Sequence, residues 1–319
     1  MDAFFIMVRN VLLFAALAIP GYILVKCDIL KQSHSAGLSK ILMYVGMPFL
    51  IISGTVNNLI INSSFLLRIL VIALIGIGYT LALFFLSKPL SAGEKEDKTR
   101  GMMRFCLIFS NNGFLGIPLA VAVFGKDTAI FTTLIVLNII TNVMMYSLGA
   151  SLISGESKAV SIKKVILNPV LIAFIAGLIL NLLNIKSYVP EVVTYSDYFS
   201  GIVTPVSMTI LGMKLATVKL PTLFTKPKNY CVSAFKLVAV PTVIVAILFI
   251  FRAFIGNIVN NDVLIGFFIA FAMPTAALAS TFADAYGGDT DGAVIYTLGS
   301  TMLSILTIPI LFGVLSLII

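Results

Sequence analysis

The sequence is short of charge and of the side chains on which most enzymes and metal sites depend. Charged residues make up 11% of its 319 residues, where a soluble domain carries about 25%. There is no tryptophan and one histidine, His34. His34 falls in the first loop between apolar runs, which excludes a buried histidine proton switch. The three cysteines, Cys27, Cys106 and Cys231, are odd in number, lack metal-ligand spacing and read as reduced structural side chains. No phosphate-binding glycine loop, no H-E-x-x-H and no G-x-S-x-G occurs, so no enzyme signature is present and ATP-driven pumping would need a partner chain. No gap between apolar runs is long enough for a soluble domain, and no A-x-A-like cleavage site follows the first run. The net charge of +8 does not point to nucleic acid, because it is distributed as membrane topology predicts.

What is present is oil. Mean hydropathy is +1.11, and 60% of residues are hydrophobic. A membrane span takes about 20 apolar residues. Ten candidate spans follow: 4–25, 38–57, 65–87, 101–124, 129–152, 165–184, 198–216, 232–254, 263–286 and 292–316. Of the 21 basic residues, 16 fall on the side of the loops after the odd-numbered spans and 5 on the other. That asymmetry predicts both termini outside, extracellular or periplasmic, in a multi-pass protein of the cell membrane.

Two of the spans are interrupted. Span 4 carries Ser110-Asn111-Asn112-Gly113-Phe114-Leu115-Gly116-Ile117-Pro118-Leu119 at its centre, and span 9 carries Ala270-Phe271-Ala272-Met273-Pro274-Thr275-Ala276. A proline has no N–H, so Pro118 and Pro274 should free the carbonyls of Phe114 and Ala270. Irregular backbone at membrane depth survives only inside protein or beside water, and broken helices mark transporter binding sites. The half-helices expected from about Leu119 and Thr275 would aim two positive N-termini at one spot, suited to an anion; the freed carbonyls would suit a cation or a hydroxyl.

The interruptions recur at a fixed distance. Pro48 and Pro205 are 157 residues apart, and Pro118 and Pro274 are 156 apart. Pro20-Gly21 matches Ala176-Gly177 at the same offset, and each break exits alike, through Phe124-Gly125-Lys126-Asp127-Thr128 and Tyr286-Gly287-Gly288-Asp289-Thr290. The chain therefore reads as two five-span repeats, 1–160 and 161–319. Because five is odd, the second is inverted.

Asn111 and Asn112 lie near the bilayer midplane and offer donors and acceptors without charge, as substrate ligands or as interhelical glue. Gly113 and Gly116 admit close approach of ligand or helix. Asn138, Thr141 and Asn142 in span 5, and Thr297, Ser300, Thr301 and Ser304 in span 10, neighbour the breaks with the same two readings. Lys214 and Asp284 are the intramembrane charges of most interest for ion or proton coupling; for Lys214 the competing reading is a side chain snorkelling to the interface, and for Asp284 a solvated one.

The motifs at 111–119, 272–276 and 286–289 resemble those of the auxin efflux carrier family, which includes plant auxin carriers and bacterial permeases assigned to malate and malonate. The resemblance covers essentially the whole chain. It implies an all-α fold like the bile acid–sodium symporters, with ten transmembrane helices as two inverted repeats and crossed broken helices 4 and 9. It further implies a scaffold of 1–60 plus 161–220 that also dimerises, and a transport domain of 61–160 plus 221–319 that moves as an elevator. By the same resemblance Asn111 contacts a substrate carboxylate, beside the crossover residues Pro118, Met273, Pro274 and Thr275. The long cytoplasmic loop of many plant carriers is missing, and the compact length and lack of tryptophan look bacterial, so a small organic acid is expected rather than auxin itself. The expected function is secondary transport of a small organic anion, a carboxylate such as malate or malonate or an auxin-like acid, with no cofactor and with H+ or Na+ as the candidate coupling ion. A membrane sensor and a passive anion channel are the rival readings.

Overall fold

A computed structural model describes residues 2–58, 63–126, 128–155, 163, 166–218, 220–256 and 258–319; Asp127, Lys158, Lys164 and Lys219 of the exit motif and charge tally lie outside these. Every named element among the described residues is helical, and the one extended contact is an isolated bridge between Ser110 and Thr275. Among the described residues six helices are long and apolar enough to cross a membrane: α1 (Phe4–Lys26), α2 (His34–Val56), α3 (Ser63–Leu90), α6 (Ala129–Ser154), α10 (Pro227–Phe254) and α13 (Thr290–Ser316).

The other four expected spans are built from shorter pieces. Span 4 is α4 (Asp97–Ile108) and α5 (Asn112–Phe124), and span 9 is α11 (Asn261–Ala272) and α12 (Ala279–Tyr286). Span 6 is α7 (Pro169–Leu182), capped by the Asn168 side chain; span 7 is α9 (Val203–Leu215), entered through a kink from the end of α8 (Glu191–Ser200), most of which precedes the span.

The solvent explains which residues face where. Leu74, Phe85, Ile250, Phe254 and Leu306 are exposed, while Asn112, Thr133, Asn138, Ser300 and Lys236 are buried. In hydrocarbon the outward face needs apolar groups, and polar groups must find partners inside. Packing follows the same logic: α7 and α8 lie on the second half of α2, α9 lies on α1, and α11 lies between α6 and α10, with α13 against α1, α4, α10 and α12.

Among the described residues, wide π-turns punctuate four helices, at Leu42–Gly46, Asn112–Gly116, Met145–Gly149 and Phe235–Ala239. Three of them end two residues before a proline: Pro48, Pro118 and Pro241. A proline ring collides with the carbonyl of the preceding turn. Widening that turn by one residue relieves the collision without breaking the helix.

This corrects the expected position of the first break. α4 stops at Ile108, with Phe109 in extended backbone, and the next helical segment starts at Asn112, well ahead of Pro118. Gly116 N–H and Leu115 N–H both donate to the Asn111 carbonyl, at 3.1 and 3.2 Å, and the widened turn carries the chain into Ile117 and Pro118. In the second break α11 stops at Ala272, Met273 is extended, and α12 begins at Ala279, past Thr275. The half-helix starts are thus Asn112 and Ala279, not Leu119 and Thr275.

Candidate functional site

The two breaks meet. Asn111 N–H donates to the Pro274 carbonyl at 2.8 Å, and Ala276 N–H donates to the Phe109 carbonyl at 3.0 Å. The crossing strands therefore satisfy each other's backbone as a short antiparallel ladder. The end of α4 is stitched further: the Thr275 hydroxyl donates to the Cys106 carbonyl at 3.2 Å, and the Lys236 ammonium donates to the Ile108 carbonyl at 2.8 Å. Thr275 N–H donates to Ser300 Oγ at 3.1 Å. Each contact covers a group that the ends of broken helices would leave bare in hydrocarbon.

The amides divide into two roles. Asn138 Nδ2 donates to Asn112 Oδ1 at 2.9 Å, and Asn112 Nδ2 donates to Thr141 Oγ1 at 2.9 Å. The Thr141 hydroxyl donates to the Leu137 carbonyl at 2.8 Å, and Asn142 Nδ2 donates to the Asn138 carbonyl at 2.8 Å. Asn112 and Asn138 are buried with their amides engaged, so they hold α5 onto α6. The Asn111 side chain is different: it makes no cap at the start of α5, and the structure shows no hydrogen bond for it.

Asn111 sits where two cavities adjoin. One, about 40 Å³, is lined by Ser110, Asn111, Asn112, Gly113, Asn138 and Asn142, with Met43 and Met47 of α2 opposite. The other, also about 40 Å³, is lined by Asn111, Ser207, Lys214, Ala277, Thr297 and Thr301. Ser110 Oγ and Thr297 Oγ1 are buried without a hydrogen-bond partner. Buried polar groups normally have partners, so an unsatisfied hydroxyl in each of two adjoining hollows, with the Asn111 amide between them, describes a place for a ligand or water. An apolar cavity of about 250 Å³ continues from the second, sharing Leu115, Met208, Leu211 and Thr301 and reaching Val11, Phe14 and Ala18 of α1. A larger hollow, about 650 Å³, lies apart from the crossover among Glu94, Glu96, Lys98, Lys226, Lys228, Asp289 and Asp291.

The remaining expected site residues sort as follows. Gly113 lines the first cavity, and a Cβ there would come within 2.7 Å of Asn138 Nδ2. Gly116 lines neither polar cavity; it is buried and faces Met273, whose Cγ lies 3.1 Å from where a Cβ would stand. Pro118, Met273 and Thr275 are buried, and Pro274 enters through its carbonyl, so these four shape the crossing.

Lys214 is not snorkelling to an interface. Its ammonium reaches from α9 across to the Ala277 carbonyl inside the second break, at 2.9 Å, and it is the one cation lining the three adjoining cavities as described. Asp284 is exposed, accepts from the Thr290 hydroxyl at 2.8 Å and lines none of them. Cys106 is fully buried beside the crossing, while Cys27 and Cys231 are exposed.

Lys236 escaped the sequence reading. The apolar run before Pro241 looks as if it starts at Val232, which puts Lys236 at a helix end; α10 in fact starts at Pro227 and carries Lys236 into the interior, 0% exposed. The available signal was a lysine four residues inside an oily run that bends at a proline.

Comparison with known proteins agrees with this architecture. The membrane transport protein family matches residues 5–163 and 156–312. The chain is 28% identical over 306 residues to an uncharacterized transporter of Methanothermobacter thermautotrophicus, covering 95% of this chain and 96% of that one. It is 29% identical over 212 residues to an uncharacterized transporter of Methanocaldococcus jannaschii, covering 65% of this chain and 68% of that one. The compact length pointed to bacteria, but both of these relatives are archaeal. Matched over residues 5–163 and 156–312, the chain belongs to the membrane transport protein family, that of the auxin efflux carriers, and is a membrane transporter rather than an enzyme.

Proposed function

We propose that the chain is a secondary carrier of a small organic anion, whose carboxylate binds between the Asn111 amide and the Lys214 ammonium. The observation that carries this reading is Asn111: an amide without a partner, at the edge of two cavities, beside the unsatisfied hydroxyls of Ser110 and Thr297. A carboxylate accepts from amide, hydroxyl and ammonium donors alike, and charge-assisted bonds of this kind are the strong ones. One cation lines these cavities, which suits one carboxylate, and the adjoining apolar cavity suits an apolar body. An acid with one carboxylate and a small apolar body fits this better than malate or malonate.

The carrier is a ten-span protein of two inverted repeats, both termini outside, dimeric through its scaffold. The scaffold is 1–60 plus 161–220, and the transport domain is 61–160 plus 221–319. Contacts between these parts support a movable boundary. On one side Lys126 Nζ meets Asp197 Oδ1 at 2.6 Å, with Ser53 and Ser200 hydroxyls around them; on the other Lys214 holds the Ala277 carbonyl. One water needs about 10–15 Å³, so each polar cavity of about 40 Å³ has room for a polar head or a few waters, and the apolar body would lie in the adjoining cavity of about 250 Å³. Elevator movement of the crossover against the scaffold would then give alternating access.

Flux into proteoliposomes, with a panel of mono- and dicarboxylates, tests this. A carrier gives saturable uptake and counterflow with at least one acid, lost in Asn111→Ala. Electrodiffusive flux makes it a channel. No flux, with no acid shifting the melting temperature, makes it a sensor or a carrier of something else.

A further inference from the structure

Lys236 is a cation buried in the middle of the protein without an acid. It lies in the wide turn Phe235–Ala239 of α10, is 0% exposed, and lines none of the three adjoining cavities at the crossing. Among the described residues the ion pairs are Arg100–Asp97, Lys126–Asp197 and Lys228–Glu94, so no carboxylate pairs with it. An ammonium so placed needs negative charge from elsewhere. The backbone supplies it. Lys236 Nζ donates to the carbonyl of Ile108, the last residue of α4, where the helix dipole concentrates about half a negative charge and carbonyls lack helical partners.

The neighbouring carbonyls are covered by neutral groups: Cys106 by the Thr275 hydroxyl and Phe109 by Ala276 N–H. A frayed C-terminal end at a mid-membrane break is also where carriers of crossed-helix design coordinate a travelling Na+. An ammonium carries the same single charge and donates where Na+ would coordinate.

We infer that Lys236 is a resident cation, tethered in the seat that a co-transported Na+ would take at the end of α4, so that the crossing keeps its shape without Na+. Lys236 is then a positioning residue. It acts through Ile108 on the Ser110–Asn111 segment and does not touch cargo. The inference takes from the proposed function only that the crossing is the working part of a carrier.

The test uses purified full-length protein in detergent, with no organic acid present, and follows thermal unfolding at constant ionic strength. Wild type melts at the same temperature in NaCl and in choline chloride. Lys236→Ala melts lower in choline, and Na+ or ethylammonium restores part of the loss in a saturable way. Tetramethylammonium, which has no N–H to donate, does not. Lys236→Met fills the space without the charge, so it melts lower and no cation restores it.

Stabilisation of the wild type by Na+ over choline overturns the inference. So does a Lys236→Met protein that melts like wild type, or equal recovery of Lys236→Ala in choline and ethylammonium. If neither variant folds, the wild-type comparison decides alone. Failure of every organic acid to shift the wild-type melt would count against the proposed cargo and leave these cation melts standing.

Discussion

The two breaks are alike in sequence position and unlike in what they offer. The first, between α4 and α5, presents side chains: Asn111 is free, Ser110 Oγ is unsatisfied, and Asn112 is tied to Asn138 and Thr141. The second, between α11 and α12, presents backbone. Met273 and Thr275 are 0% exposed, Thr275 has both its hydroxyl and its N–H engaged, and only Ala276, Ala277 and Leu278 reach the cavities. A repeated helix interruption therefore does not imply a repeated job. On the proposed function one copy recognises while the other braces, because the side chains facing each break differ.

The largest expected effect is on ligand response. Removing Asn111 takes away a hydrogen bond to a charged group, worth about 1.5–3 kcal/mol, or roughly tenfold to a hundredfold in Kd. Asn111→Ala should abolish the acid-induced melting shift while leaving the ligand-free melt within about 0.5 kcal/mol of wild type. Thr275→Val should do the reverse. It strips the partner from the buried Cys106 carbonyl, which costs about 1–3 kcal/mol, and the surviving fold keeps its ligand response. Exchange of these two phenotypes would break the comparison.

Next in size is the brace of the first break. Asn138→Leu leaves Asn112 Oδ1 without its donor and should destabilise by about 1–3 kcal/mol, measured by denaturant or heat in the absence of ligand. The paired glycines sharpen the same point. Gly113→Ala meets an amide already held in place, and overpacking of that kind costs about 1–3 kcal/mol. Gly116→Ala meets the flexible Met273 and gains up to about 1 kcal/mol of helix propensity, so its melt should stay level or rise.

The smallest effect lies away from both breaks, at Asp197. Burial raises its carboxyl, but hydrogen bonds from Lys126, Ser53 and Ser200, with the Lys126 charge, outweigh that and hold it below the usual carboxylate range. A group depressed by folding contributes fully above its unfolded range, and that contribution disappears as pH falls through the depressed value. Asp197 is about half exposed, so the pair is worth less than about 1 kcal/mol. Asp197→Asn should flatten the acid side of the stability profile slightly and leave ligand response at neutral pH intact.

Much of this was legible in the chain itself. Composition alone made it a membrane protein, because hydrocarbon tolerates few charges, and prolines and amides in mid-run marked where helices could not continue. The family resemblance also pointed to Asn111, whereas the residues themselves left Asn111 and Asn112 with the same two uses, substrate ligand or interhelical glue. What the sequence could not say was where the break falls. A wide turn absorbs Pro118, and that depends on how Asn111 meets Pro274 from the other half of the chain. Nor could it say which asparagine is free: Asn111 and Asn112 are adjacent, and only the position of Asn138 and Thr141 across the interface decides that Asn112 is engaged. The two lysines show the same limit. Whether an ammonium reaches outward to water or inward to a carbonyl depends on what stands opposite, and folding brings Lys214 a carbonyl inside the second break and Lys236 the carbonyl that ends α4. Local solvent preference is written residue by residue, whereas the availability of a polar group is settled by long-range pairing, which only the tertiary structure contains.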